Sequence, residues 1–244
     1  MKTQARSLKK LCKDLSKDLG FRVTVHMLRR FIKGLGYRWK RFRKSLKKKQ
    51  NEEEYAKKLA ELKGLIDLYK SGSIDLFFAD ESGFNMVGYV PYGWQPKGEY
   101  IKITPSKTQG TQIFGLMSLD NELESYSCTG SMNSQTVIAF IDDFHKRIKQ
   151  PTVVVLDNAP IHHSKEFEAK VEEWKDNDLY IFYLPKYSPH LNPIEILWRM
   201  IKYQWLPYED IENQKELNQR LDEILTKFGN EYTINFKEQK MSII

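Results

Sequence analysis

The hydrophobic period of the chain changes once, at Ile74, and that change limits what it can fold into. Before it, apolar residues recur at helical spacing: Leu8, Leu11, Leu15 and Leu19 on one segment, Val25, Leu28, Ile32 and Leu35 on a second, Tyr55, Leu59, Leu62, Ile66 and Tyr69 on a third. After it they come as short runs of strand character at 74–79, 102–119, 152–156 and 179–184. Helical patterns lie between and after these runs, at 134–149, 164–175, 193–205 and 211–228. Strands first and helices interleaved later predict an α/β domain, a mixed sheet covered by helices, behind a small all-α module. The expected division is a basic module over 1–50, a linker helix over 51–73, the α/β domain over 74–210, and a C-terminal helix and tail over 211–244.

Charge divides along the same line. The 244 residues carry a net +7, but residues 1–50 hold 18 of the 39 lysines and arginines against two acids, Asp14 and Asp18, a balance of +16. The rest holds the other 21 bases against 30 acids, a balance of −9. A polycationic segment draws polyanions by neutralising phosphates and releasing their counterions, so nucleic acid is the leading partner, ahead of an anionic membrane or an acidic protein. No stretch approaches the roughly 18 consecutive apolar residues of a membrane span. The opening MKTQARSLKK has no apolar signal region, and the two cysteines, Cys12 and Cys128, lack metal-ligand spacing. A reducing, cytoplasmic, nucleoid-associated protein with no membrane contact is expected.

Within the basic segment, Gly20 stands where a left-handed cap would stop the first helix and Thr24 where a cap would open the second. The turn between them is Gly20-Phe21-Arg22-Val23, so the pair reads as a helix-turn-helix with the second helix as reader. Its outer face carries His26, Arg29, Arg30 and Lys33, and the basic tail 36–49 continues with Arg38, Lys40, Arg41 and Arg43 among Tyr37, Trp39 and Phe42. A generic basic hairpin with a solvated face has the same pattern.

Two apolar runs end in the same way, IDLFFAD at Asp80 and TVVVLDN at Asp157. In open α/β sheets, ligand and catalytic groups sit at the carboxyl ends of strands. Each aspartate alone is also an ordinary turn-capping residue. A third acid, Glu195, follows Asn192-Pro193, which marks a helix start with Asn as N-cap and Pro at the first position. Taken alone, Asn-x-x-Glu describes a capping box, yet a first-turn carboxylate also points off the helix end toward two strand-end aspartates. Three hard carboxylates without histidine or cysteine of zinc spacing suit Mg²⁺ or Mn²⁺, and two such ions are expected, as in in-line phosphodiester chemistry. His162 and His163 reach either substrate or merely their own loop, and Lys202, two turns past Glu195, either a phosphate or solvent. Glu81, Asp120, Asp142 and Asp143 read as structural or solvated, with Glu81 pointing away from Asp80 and Asp120, in LDNE, at a hairpin turn. Trp198 is expected to pack on the sheet.

Three ordered blocks, ADESGF, LDNAPIHHS and YSPHLNPIEILWRMIK, resemble the signature blocks of mariner-type DDE transposases, in particular their bacterial insertion-sequence branch. The segment GYVPYGWQPKGEY at 88–100 is similar to the family's region between the first two acids. The resemblance spans about residues 20–205 and implies a ribonuclease-H-like fold with Asp80, Asp157 and Glu195 as the catalytic triad and metal ligands. Thirty-seven residues separate Asp157 from Glu195, within the family's range. It further implies binding of double-stranded DNA, both terminal inverted repeats and target, as a homodimer, with metal-dependent nicking followed by 3′-hydroxyl strand transfer and no covalent protein–DNA intermediate. Family members usually carry two helix-turn-helix modules, and this chain begins near the second, so a truncated copy is expected. The alternative is an inactive or decayed DNA-binding regulator derived from such an element.

Overall fold

The computed structural model describes residues 8–38, 51–85, 110–207 and 211–239. The chain divides into two compact units, Met1–Leu46 and Lys47–Ile244.

The first unit is a pair of helices, α1 (Leu8–Leu19) and α2 (Val25–Gly34). Gly20 takes φ +70°, a left-handed conformation that costs glycine little. Thr24 caps α2 by accepting the Met27 N–H, and Ser16 Oγ accepts the Val23 N–H across the turn at 2.8 Å. Cys12 is the buried residue of α1 and Leu28 that of α2, while Leu19 and Leu35, expected on the inner stripe, are 54% and 55% exposed. Two short helices bury little between them, and these two leucines near their C-terminal ends stay uncovered. Arg29, Arg30, Lys33 and Arg38 are exposed; Lys40, Arg41 and Arg43 lie outside the described residues.

The second unit opens with α3 (Glu52–Lys70), capped by Asn51, and continues into a five-stranded sheet. The strands are β1 (Asp75–Phe84), β2 (Thr111–Met117), β3 (Leu123–Thr129), β4 (Thr152–Leu156) and β5 (Leu179–Tyr183), in spatial order β3-β2-β1-β4-β5. β1, β2 and β3 pair antiparallel, while β4 lies parallel to both β1 and β5. Between the parallel strands run α4 (Ser134–His145) and α5 (Lys165–Lys175), and after β5 come α6 (Ile194–Met200), a π turn at Ile201–Trp205, and α7 (Gln214–Lys227). This is the expected mixed, ribonuclease-H-like sheet with flanking helices.

Period-2 alternation sorts the strand side chains onto two cores. Leu76, Phe78, Val153 and Val155 face α3, α6 and α7, and Ala79, Val154 and Leu156 face α4 and α5. All five residues of β4 are buried, which explains why TVVVL is a continuous apolar run. The helix expected as a linker is part of this body: Leu62 and Ile66 of α3 lie in the first core, as do Leu217, Leu221, Ile224 and Leu225 of α7.

β1 does not stop at Asp80. Its antiparallel pairing with β2 runs on to Phe84↔Thr111, whereas β4 leaves the sheet after Leu156. β3 is an addition to the expected strands, and residues 86–109, with the 88–100 segment, lie outside the described residues. No helix among the described residues is long and apolar enough to cross a membrane.

Candidate active site

The register of the parallel pair brings the two aspartates level. Its last pair is Phe78↔Val155, and two residues further on stand Asp80 and Asp157. Beyond that point β1 has no partner on this side, so space opens beside Asp80. Glu195 enters it from the first turn of α6, and all three acids line one cavity of about 460 Å³ with Asn158, Leu184, Lys186, Tyr187 and Asn192.

Local structure around Glu195 differs from the capping-box expectation. α6 begins at Ile194 with no side-chain cap hydrogen bond. Asn192 closes a 3₁₀ turn at Pro189–Leu191, and its Nδ2 donates to Ala79 O at 3.1 Å, tying the start of α6 to β1 one residue before Asp80. The asparagine is used for tertiary attachment, so Glu195 is not held by the helix end. One turn on, Trp198 is 3% exposed, stands edge-on to Phe84 with centroids 6.1 Å apart, and donates its indole N–H to Asp80 Oδ2 at 3.1 Å. It packs on the sheet as expected and also grips the candidate ligand. Buried indoles seek a partner for their N–H, so an acid on the facing strand was the signal available in the sequence. Room for this ring comes from Gly115, the β2 partner of Asp80: a Cβ there would meet Trp198 Cη2 at 2.8 Å and Ile194 Cδ1 at 3.0 Å.

Glu81 takes the structural of the two roles expected of it. Strand alternation turns it from Asp80, but its Oε1 lies 3.0 Å from His162 Nε2. His162, from the 3₁₀ turn Pro160–His163, is 1% exposed, and its Nδ1 lies 3.3 Å from Asp157 Oδ1. With both ring nitrogens engaged and the ring buried, His162 does not face substrate; His163 lies against Tyr183, with centroids 4.7 Å apart. Lys202 places Nζ 5.1 Å from the Phe84 ring centroid, and its charge reaches Glu195. The other acids set aside are anchors: Asp120 accepts from Tyr69, Asp142 from Trp174 Nε1, and Asp143 from Arg147 and Tyr126. Tyr187 went unremarked in the sequence. It is 46% exposed at the cavity wall with φ +60°, a conformation that costs a non-glycine residue on the order of 1 kcal/mol or more and collects at functional sites.

Electrostatics divide the acids. Burial, then the charges of Glu195, Glu81 and Asp157, push the Asp80 carboxyl up to about 8. Burial raises Glu195 as well, with the Asp157 charge, against Lys202 and Arg199. Asp157 goes the other way: the His162 hydrogen bond lowers it, against burial, with help from the Ala159 N–H. Burial works against a charged His162, but its bonds to Asp157 and Glu81 outweigh that and raise it to about 9. Negative charge thus accumulates faster than the surroundings neutralise it.

Among the described residues, no group of three or more His, Cys, Asp or Glu side chains is gathered closely enough to hold an ion as it stands. The chemistry of the cavity nevertheless fits a hard divalent cation. Its donors are carboxylate oxygens, their mutual repulsion is what such an ion would relieve, and Asn192 Oδ1, a further hard oxygen, is buried there without a hydrogen-bond partner.

A family model for DDE superfamily endonucleases matches residues 75–218. The insertion element IS630 uncharacterized 39 kDa protein of Shigella sonnei is 25% identical over 189 residues, which cover 75% of this chain and 52% of that protein. The chain therefore spans about half the length of the curated relative it matches. Among solved structures, the mariner Mos1 paired end complex with Mg is similar with a TM-score of 0.62 at 15% identity, covering 87% of this chain and 66% of that one. The Mos1 strand transfer complex is similar with a TM-score of 0.59 at 14% identity, covering 92% and 72%. At these identities the likeness is one of fold.

Proposed function

We propose that this chain, which belongs to the DDE superfamily endonuclease family, is a transposase that nicks DNA at the ends of an insertion sequence and transfers the freed 3′-hydroxyl to target DNA. The observation that carries this reading is the convergence of Asp80, Asp157 and Glu195, from three separate elements, on one cavity.

Asp80, Asp157 and Glu195 would hold Mg²⁺ or Mn²⁺, two ions in the fullest form of the reading. Such ions, when bound, make an attacking oxygen more nucleophilic and stabilise the leaving one. The chain's own residues do the positioning. Trp198 fixes one oxygen of Asp80, the Ala159 N–H fixes one oxygen of Asp157 at 2.8 Å, and Asn192 fixes the start of the helix that carries Glu195. In the first step water attacks the scissile phosphodiester and the bond from phosphorus to O3′ breaks, leaving a 3′-hydroxyl. In the second that hydroxyl attacks a target phosphodiester, forms a new ester, and releases a target 3′-hydroxyl. Neither step joins DNA to protein.

Arg29, Arg30 and Lys33 on α2, with Arg38 beyond it, supply phosphate contacts that position the duplex, and the basic residues Lys40, Arg41 and Arg43 that follow in the sequence are proposed to add to them. Action on two ends calls for a homodimer on DNA. The test is incubation of the full chain with Mg²⁺ and a labelled duplex ending in the element's inverted repeat. Nicked strands followed by joined products support the reading, and DNA binding without either product would show a non-catalytic regulator.

A further inference from the structure

We infer that His162 is a positioning residue that clamps Asp157 for metal binding, with Glu81 as its anchor. The inference rests on the proposed role of Asp157 as a metal ligand.

Asp157 stands one residue past the end of β4, where the backbone has left the sheet, and its side chain is 50% exposed. A carboxylate so placed rotates freely unless something outside the strand holds it. Oδ1 accepts the Ala159 N–H at 2.8 Å and lies 3.3 Å from His162 Nδ1, which is also hydrogen-bonded to the Asp157 backbone carbonyl at 3.3 Å, so the imidazole holds both the carboxylate and its own stretch of chain. That leaves Oδ2 as the oxygen available to a ligand. Outer partners of this kind fix the orientation of ligating groups and matter nearly as much as the ligands.

His162 is itself immobile. Its backbone carbonyl accepts from Tyr183 Oη at 2.9 Å, its ring lies 5.6 Å from that of Phe167, and the carbonyl before it, on Ile161, accepts from Ser134. Glu81 completes the clamp by binding Nε2 at 3.0 Å from β1, the strand that carries Asp80. A connected path therefore runs from β1 through Glu81 and His162 to Asp157, setting one candidate ligand against the strand that bears the other. A histidine this deeply buried, with a carboxylate on each side, is an expensive way to fill space, since an apolar ring would pack there without two charged partners.

The test measures Mn²⁺ affinity of the DNA-free full chain by calorimetry, together with kcat and KM for nicking, in His162→Phe, Glu81→Ala, Glu81→Gln and Asp157→Asn. Loss of the clamp in His162→Phe and Glu81→Ala weakens Mn²⁺ binding by roughly 10- to 100-fold and lowers kcat with KM for DNA unchanged. Glu81→Gln, whose amide oxygen still accepts from Nε2, restores most of both. Wild-type Mn²⁺ affinity and kcat in Glu81→Ala overturn the assignment. Equal damage in Glu81→Gln and Glu81→Ala overturns it too, because Glu81 would then act as a ligand. If His162→Phe does not fold, the two Glu81 variants decide alone. Weakened Mn²⁺ binding in Asp157→Asn secures the underlying reading, so a null result at His162 and Glu81 then counts against the clamp only.

Discussion

Gly115→Ala tests the placement of α6 without touching any carboxylate. The added Cβ would stand 2.8 Å from Trp198 Cη2 and 3.0 Å from Trp198 Cζ2 and Ile194 Cδ1. Ordinary carbon contacts lie near 3.5 to 4.0 Å, so ring and helix must retreat by roughly 0.5 to 1.2 Å. The indole is buried and cannot swing aside, and α6 carries Glu195 on the same turn. Overpacking of this kind costs about 1–3 kcal/mol, which for a chain of this size lowers Tm by roughly 2 to 10 °C. Displacing a reacting group by 1 Å can cost about 100-fold in rate. The expected variant is folded at 25 °C by circular dichroism, binds DNA, and nicks about two orders of magnitude more slowly. Gly64→Ala is the control. Gly64 lies on α3 with nothing within 4 Å of a built Cβ, so alanine there should raise stability by about 0.5–1 kcal/mol and leave nicking unchanged. A folded Gly115→Ala chain with the wild-type nicking rate would refute the argument that close packing of α6 on β2 sets the site.

Glu195→Gln should leave Tm nearly unchanged while abolishing nicking, because no side-chain cap hydrogen bond holds the start of α6; full nicking activity in this variant, whose amide keeps any capping hydrogen bond, would return Glu195 to a capping role. Without divalent metal, stability should fall as pH rises. Asp80, raised from 3.8 to about 8, binds its proton more tightly folded than unfolded, so its contribution is full below pH 4 and is lost toward pH 8. His162, raised from 6.5 to about 9, contributes fully below pH 6.5 and loses that contribution as pH rises through 9. Urea midpoints in EDTA should therefore be lower at pH 8.5 than at pH 6, with Mn²⁺ restoring the loss at pH 8.5; an EDTA midpoint that rises over this range contradicts the assignment. Replacing Arg29, Arg30 and Lys33 together by alanine should lower the slope of log affinity against log salt by about 2.7, at 0.9 per phosphate contact. An unchanged slope places the DNA elsewhere.

Much of the fold was legible because its signals are local. The caps Thr24, Asn51, Asn133, Ser164 and Asn213 all accept from the first turn of the helix that follows. TVVVL marks a strand buried on both faces, and Tyr55, Leu59, Leu62, Ile66 and Tyr69 mark the buried stripe of α3. What such a stripe packs against is a tertiary fact, which is why α3 read as a linker. Of β3 only the hairpin turn at Asp120 was legible, because LESYSCT is an edge strand with no buried residue. Asp80 looked like a strand end because Glu81-Ser82-Gly83 breaks the apolar run, yet the backbone pairing with β2 continues regardless of side chain. The partners of Asn192 and Glu81 were not legible for one reason. Each has an obvious local role, cap or solvated acid, and each is instead used by a residue far along the chain, Ala79 at 113 positions and His162 at 81.

The central claim is that Asp80, Asp157 and Glu195 act together as one metal-dependent active site. The most direct measurement is single-turnover nicking of a labelled inverted-repeat duplex in Mg²⁺, run on Asp80→Asn, Asp157→Asn and Glu195→Gln beside the unaltered chain, with DNA affinity measured in parallel. The account predicts that each variant falls to the metal-free background while binding DNA as tightly as the unaltered chain. Metal-dependent nicking that survives in any one of the three would contradict it.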